Sequence, residues 1–184
     1  MKREELAEAI GSASIIAIDG RSGSGKTTLA AFLGKRLEAS VVHMDDFFLP
    51  LPLRSRERLE EAGGNVHYER FLDEVLPHLK RREPFSYRRF DCSCMDYSGS
   101  AVIDKPIVIV EGAYSMHPLF GKYYDLSIFL DIDKNEQMKR IEGRVGKERA
   151  EVFRSRWIPL EEKYISSFSI MEKADMVVDG TSLS

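Results

Sequence analysis

Apolar residues along the chain fall into two rhythms. Mostly apolar runs at 15–18, 41–44, 107–110, 126–130 and 174–178 have the length of buried strands. Between them, Leu29, Phe32, Leu33 and Leu37 recur at helix spacing, as do Phe71, Leu72, Val75, Leu76 and Leu79, and then Leu160, Tyr164, Phe168 and Met171. Residues 2–10 predict a surface helix with a narrow stripe of Leu6, Ala9 and Ile10, and further helices are predicted over 115–120 and 134–145. Pro77 predicts a kink or early end of its helix, and Pro159 suits a first helical turn. Strands alternating with helices predict an α/β domain over 1–184, a mostly parallel sheet covered on both faces.

Three stretches interrupt the alternation. Residues 50–65 are turn-rich and basic, with Arg54, Arg56 and Arg58, and read as a loop without clear periodicity. Residues 85–90 and 100–103 read as two extended segments around a turn at 96–99, a small β-hairpin. Residues 146–156 carry Lys147, Arg149, Arg154 and Arg156 and read as a mobile basic lid.

Composition narrows the function classes. Of 184 residues, 43% are hydrophobic and 31% charged, a balance expected of one soluble globular domain. A net charge of −3 gives no footprint for nucleic acid. No apolar run approaches the ~20 residues that span a bilayer, so no membrane partner is expected. The charged N-terminus does not read as a signal peptide. Two cysteines, Cys92 and Cys94, are too few for a disulfide framework, and a reduced cytoplasmic protein is expected.

The chemistry concentrates where the first strand ends. Gly20-Arg21-Ser22-Gly23-Ser24-Gly25-Lys26-Thr27 matches the phosphate-loop pattern between a strand and a helix. Glycines let successive amides turn inward and approach an anion closely, and the helix start adds positive potential. Gly20, Ser22, Gly23, Ser24, Gly25, Lys26, Thr27 and Thr28 are therefore the nucleotide-binding candidates. Lys26 is expected on the β- and γ-phosphates, and Thr27 on Mg²⁺. The second strand ends in Asp45-Asp46-Phe47-Phe48, at the sheet edge where ligands bind. Asp45 can accept a substrate hydroxyl proton or hold Mg²⁺ through water. The plain alternative, a solvated loop acid or helix cap, fits two neighbouring Phe poorly. Glu111, at another strand end before Gly112, suits a water-mediated Mg²⁺ contact. Arg140 and Arg144, four apart, share one helix face.

With these landmarks the chain resembles the uridine kinase-like and phosphoribulokinase-like P-loop kinases over about residues 14–179. The ordered set is Gly20–Thr28, Met44-Asp45-Asp46-Phe47-Phe48, Asn65-Val66-His67, Phe85-Ser86-Tyr87, Val110-Glu111-Gly112 and Phe129-Leu130-Asp131. The resemblance implies a three-layer P-loop NTPase fold with the hairpin as part of an acceptor-side insertion over 50–103 and a lid over 146–156. It implies ATP as donor, Mg²⁺ as cofactor and a small-molecule hydroxyl as acceptor. Asp45 matches the family's base, Tyr87 the tyrosine near the nucleoside, Glu111 the acid near Mg²⁺, and Arg140 and Arg144 the phosphate-contacting arginines, so Lys26, Asp45, Arg140 and Arg144 are the expected catalytic set. The chain departs from the family where the acceptor is read. The Asp that holds ribose is missing from Asn65-Val66-His67-Tyr68, leaving His67 nearest, and Arg88, Arg89 and Asp91 follow Tyr87 in place of a His-Ser-Arg stretch. His67, Tyr87 and Arg88 are thus the acceptor candidates, and uridine as the acceptor does not follow. Two alternatives stand beside this reading: a kinase for a nucleotide, sugar or vitamin precursor, and a nucleotide-hydrolysing regulatory protein, although no guanine-reading Asn/Thr-Lys-x-Asp occurs. Self-association into a homo-oligomer is left open.

Overall fold

A computed structural model describes residues 2–92 and 94–183. Met1, Ser93 and Ser184 lie outside the described residues. In chain order the elements are α1 (Arg3–Ala9), β1 (Ile15–Gly20), α2 (Lys26–Arg36), β2 (Ser40–His43), α3 (Arg56–Glu60), α4 (Tyr68–Glu74), α5 (Leu76–Arg81), β3 (Phe85–Asp91), β4 (Asp96–Ile103), β5 (Val108–Glu111), β6 (Leu126–Asp131), α6 (Lys134–Val145), α7 (Lys147–Val152), α8 (Ile158–Phe168), α9 (Ile170–Lys173) and β7 (Met176–Asp179).

Five strands form one parallel sheet in the order β2-β5-β1-β6-β7, with β1 at the centre. Alternation of side chains sends neighbours on β1 to opposite faces. Ile16 and Ile18 join Leu6, Leu29 and Leu33 under α1 and α2, an aliphatic layer. Ile15 and Ala17 join Phe71, Leu79, Tyr164 and Ile165 on the other face, a layer rich in aromatic rings. The three-layer α/β architecture expected from the alternation is therefore present. Among the described residues, no helix is long and apolar enough to cross a membrane.

Tertiary packing redraws several local expectations. The second strand stops at His43, and Met44–Phe47 form a 3-10 turn because Met44 and Phe47 both turn into the core. Residues 50–65 are not a plain loop. They hold a 3-10 turn at Leu51–Leu53 and the short α3, capped by the Ser55 side chain accepting from the Arg58 amide at 3.1 Å. The helix around Pro77 does break, at Val75, between α4 and α5. In the hairpin, residues 96–99 belong to β4 rather than to the turn. Tyr97 pairs with Phe90 and packs edge-on to it at 5.6 Å, which draws this stretch into the ladder. Residues 146–156 are helical after Gly146: α7 runs into a π-helical turn at Phe153–Trp157.

Candidate active site

The loop after β1 is braced from three directions. Gly20 has φ +138°, and a Cβ there would stand 2.2 Å from the Leu130 carbonyl, so only glycine lets β1 and β6 meet at this corner. Arg21 bonds Asp131 at the end of β6, donates from Nε to Glu162 on α8 at 2.6 Å, and lies over the Phe129 ring. Gln137 of α6 donates to the Ser22 carbonyl at 3.0 Å. Glu161 of α8 accepts from the Ser22 amide at 2.9 Å and also from its hydroxyl. Ser24 is fully buried. Below the loop, Asp19 accepts from the amides of Gly20 (2.7 Å) and Met116 (2.9 Å) and from the Tyr164 hydroxyl (2.8 Å). Burial pushes the Asp19 carboxyl up, and those donors together with Lys26 oppose the push.

One cavity of about 950 Å³ opens at the C-terminal edge of the sheet, at the upper end of the range for small-molecule sites. Ser22, Gly23, Gly25, Lys26, Thr27 and Thr28 line one end of it. Gly25 takes φ +101° and starts α2, so the helix N-terminus faces the space. The Lys26 ammonium donates to the carbonyls of Gly20 (2.8 Å) and Arg21 (2.9 Å) at the loop's mouth. Thr27 Oγ1 donates to Glu111 Oε2 at 3.4 Å, and the other Glu111 oxygen meets His43 Nδ1. Gly112, at φ +133°, brings the end of β5 against Met44, where a Cβ would stand 2.7 Å from the Met44 Cβ. That close approach sets Glu111 and Asp45 side by side.

Asp45 lines the middle of the cavity. Water reaches it through the opening, yet protein surrounds it. Desolvation and then the neighbouring Glu111 charge raise its carboxyl above the usual range, while Lys26, His43 and Arg144 pull the other way. Those four groups set the electrostatic surroundings of Asp45. Asp46 turns elsewhere, accepting from the Tyr87 hydroxyl at 2.8 Å.

Among the described residues, no group of three or more His, Cys, Asp or Glu forms a metal cage. The Thr27 hydroxyl and the Glu111 carboxylate beside it fit Mg²⁺, which is commonly held by one or two carboxylates with substrate phosphates and water.

No family model matches the chain. A uridine kinase of Staphylococcus epidermidis is 29% identical over 153 residues, covering 77% of this chain and 73% of the relative. Among solved structures, a possible uridine kinase from Bacillus stearothermophilus is similar with a TM-score of 0.74 at 23% identity, covering 96% of this chain and 97% of that one. A D-glycerate 3-kinase from Cryptococcus neoformans is similar with a TM-score of 0.63 at 13% identity, covering 97% and 96%. The chain is similar in sequence to that uridine kinase and has the fold of these P-loop kinase structures.

Within this uridine kinase-like fold the expected site residues do not all meet. Lys26, Asp45, Glu111, Arg140 and Arg144 line the cavity with most of the loop. Arg140 is tied down: Nε bonds Glu136 at 3.0 Å, and Nη1 reaches the carbonyls of Gly180 (3.2 Å) and Gly23 (3.4 Å). Arg144 lies over the Phe153 ring and acts on Asp45. The three acceptor candidates stand back from the cavity wall. Tyr87 is 2% exposed, donates to Asp46 and accepts from the His43 amide at 3.3 Å, so it braces the turn that carries Asp45. Arg88 points away to Glu74 at 2.8 Å and over Tyr97; its neighbour Arg89, at the register shift of the β3–β4 ladder between Arg88 and Phe90, lines the cavity instead. His67 precedes α4, with its amide on the Phe47 carbonyl at 2.7 Å.

Other residues at the site had weak or no sequence signal. Glu161 and Glu162 hold the loop from more than a hundred residues away. His43 shares Glu111 with Thr27, and this contact is the largest of the influences that raise its pKa. The segment from α7 through its π-helical turn shows the cavity Phe153 and Trp157 rather than Lys147, Arg149, Arg154 or Arg156. Arg154 pairs with Glu142 at 3.5 Å and Glu151 at 3.6 Å.

Proposed function

We propose that the protein is an ATP-dependent kinase that transfers the γ-phosphoryl group to a hydroxyl of a small molecule. The observation that carries this reading is the meeting of Asp45, Lys26, Glu111 and Arg144 around one cavity whose far end is a phosphate loop. Similarity to the Staphylococcus uridine kinase supports the reaction class.

The ATP phosphates lie along residues 20–28, where the loop amides and the α2 N-terminus hold them. Lys26 exchanges the Gly20 and Arg21 carbonyls for phosphate oxygens. Thr27 and Glu111 hold Mg²⁺, with Asp45 near enough to contact it through water; the ion, when bound, offsets charge on the β- and γ-phosphates. Asp45 orients the acceptor hydroxyl and takes its proton, and its raised pKa makes it a better base than an ordinary aspartate. Arg144 lies where charge spreads over the transferring group, and Arg140 fixes the loop. The reaction asks mainly for positioning and electrostatic stabilisation, which these groups supply. Asp46, Tyr87 and Arg70 hold the Asp45 turn in place, with Arg70 donating to the Asp46 carbonyl at 3.0 Å.

The acceptor is not carried over from the relatives, because the residues at that end differ from the uridine kinase pattern. The test is ATP consumption with Mg²⁺ across nucleosides, sugars, polyols and hydroxy acids. Acceptor-dependent ADP formation, with a phosphorylated acceptor as product, is expected. Phosphate release that no acceptor accelerates would replace this reading with a nucleotide-hydrolysing protein.

A further inference from the structure

The acceptor end of the cavity contains a cation that its own fold leaves incompletely paired. Arg54 follows the 3-10 turn at Leu51–Leu53 and lines the cavity. Two contacts fix its side chain: Nε donates to the Leu49 carbonyl at 2.7 Å, and the guanidinium lies 4.7 Å from the Phe48 ring centre. Its Nη2 nitrogen is buried and has no hydrogen-bond partner. Among the described residues, no carboxylate forms an ion pair with Arg54, and Arg156 lies close enough to repel it. Buried donors are nearly always satisfied, and leaving a charged one unmet is costly.

The other two arginines of this stretch behave differently. Arg56 is exposed and paired with Glu60 at 2.8 Å. Arg58 is used up by the carbonyls of Gly64 and Val66 and the carboxylate of Glu69. Only Arg54 of the three lines the cavity, where Arg89 adds a second cation.

We infer that the acceptor carries an anionic group of its own, a carboxylate or a phosphate, which Arg54 binds while the acceptor's hydroxyl meets Asp45. This deepens the kinase reading and rests on it. A guanidinium held by stacking and by one fixed bond is preorganised for such a group. The class of acceptor is therefore an alcohol that also bears a carboxylate or a phosphate, in preference to a neutral nucleoside.

The experiment compares matched acceptors that differ only in charge: glycerate, glycerol 3-phosphate and glycerol; gluconate and sorbitol; mannitol 1-phosphate and mannitol; with uridine as a neutral nucleoside. ATP turnover is one readout. Fluorescence of Trp157 is the other, since it is the chain's sole tryptophan, lines the cavity and packs 5.2 Å from Phe48. The anionic member of at least one pair is expected to show a KM or Kd about tenfold to a hundredfold lower than its neutral partner, as a charge-assisted bond gives. Arg54→Met should abolish that ratio, and Arg54→Lys should keep part of it. The carboxylate and phosphate pairs separate the two sources of charge. Anion-selective quenching lost in Arg54→Met, without turnover of any acceptor, would sustain the anion site and defeat the kinase reading. Turnover with neutral acceptors preferred would do the reverse. A variant that weakens charged and neutral acceptors equally, with a lowered melting temperature, would make Arg54 a brace and overturn the inference.

Discussion

The loop over residues 20–28 and the insertion over 50–103 border one cavity, and they hold their ends of it by different means. The loop presents main chain: amides turned inward by glycine, the start of α2, and one lysine. Residues 50–103 present side chains, among them Arg54, Arg89 and Phe90, hung on short elements. The layers beneath them differ too. Aliphatic side chains pack α1 and α2 against the sheet, whereas Phe47, Phe71, Tyr87, Phe120 and Tyr123 make up much of the layer under the insertion. A polyphosphate is the same anion in every ATP, so a backbone cradle serves for it. An acceptor is recognised by its own shape and charge, which only side chains can match.

Asp45 stands between the two ends, and replacing it is expected to give the largest effect. Asp45→Asn should lower kcat by about a hundredfold to ten-thousandfold while the ATP dissociation constant, measured by titration, stays near the parent value. Loss of ATP binding would mean that Asp45 belongs to the cradle. Gly20→Ala attacks the main-chain side alone. Its Cβ would meet the Leu130 carbonyl at 2.2 Å in a backbone region that suits glycine, so a loss of about 3 kcal/mol is expected, read as a fall in melting temperature of roughly 6–12 °C. An unchanged melting temperature would show that β1 and β6 can part at little cost.

Tyr87→Phe sharpens the other side. It removes a buried hydroxyl that Asp46 and the His43 amide share, a loss of about 1–2 kcal/mol. Thermal unfolding should register it while the acceptor KM moves little; a raised KM with unchanged stability would return Tyr87 to the acceptor. The smallest effect concerns acid. Glu74 is held down to about 2, chiefly by its hydrogen bond from Arg70, with Arg88 adding to it. A carboxyl depressed on folding contributes stability above its unfolded pKa and loses it as pH falls through the folded one. Stability from this group should thus be complete above about pH 4.5 and decline towards pH 2, and Glu74→Gln should flatten that part of the curve in pH-dependent denaturation.

The strand, glycine loop and helix at one end of the cavity were legible in the chain because their information is local. Strand, glycine loop, lysine and helix follow one another in sequence, and the 3.6- and 2-residue rhythms on either side set the faces. The acidic strand ends at Asp45 and Glu111 were legible for the same reason. The acceptor side was not. His67, Tyr87 and Arg88 lie in the right neighbourhood, but which face of a short strand or turn meets the cavity depends on packing. A register shift in the β3–β4 ladder puts Arg89 rather than Arg88 on the cavity. The brackets on the loop, Glu161 and Glu162 with Asp131, come from distant segments that share no pattern with it.

Sequence alone determined the alternation of elements, the parallel three-layer sheet and the glycine loop between β1 and α2, since each follows from neighbours within a few residues. Tertiary structure decided which carboxylate faces the cavity, that the turn after α7 shows it rings rather than cations, and that Arg54 is the arginine of its segment left with an unmet donor. Burial and pairing are properties of surroundings, and those surroundings are assembled from parts of the chain far apart in order.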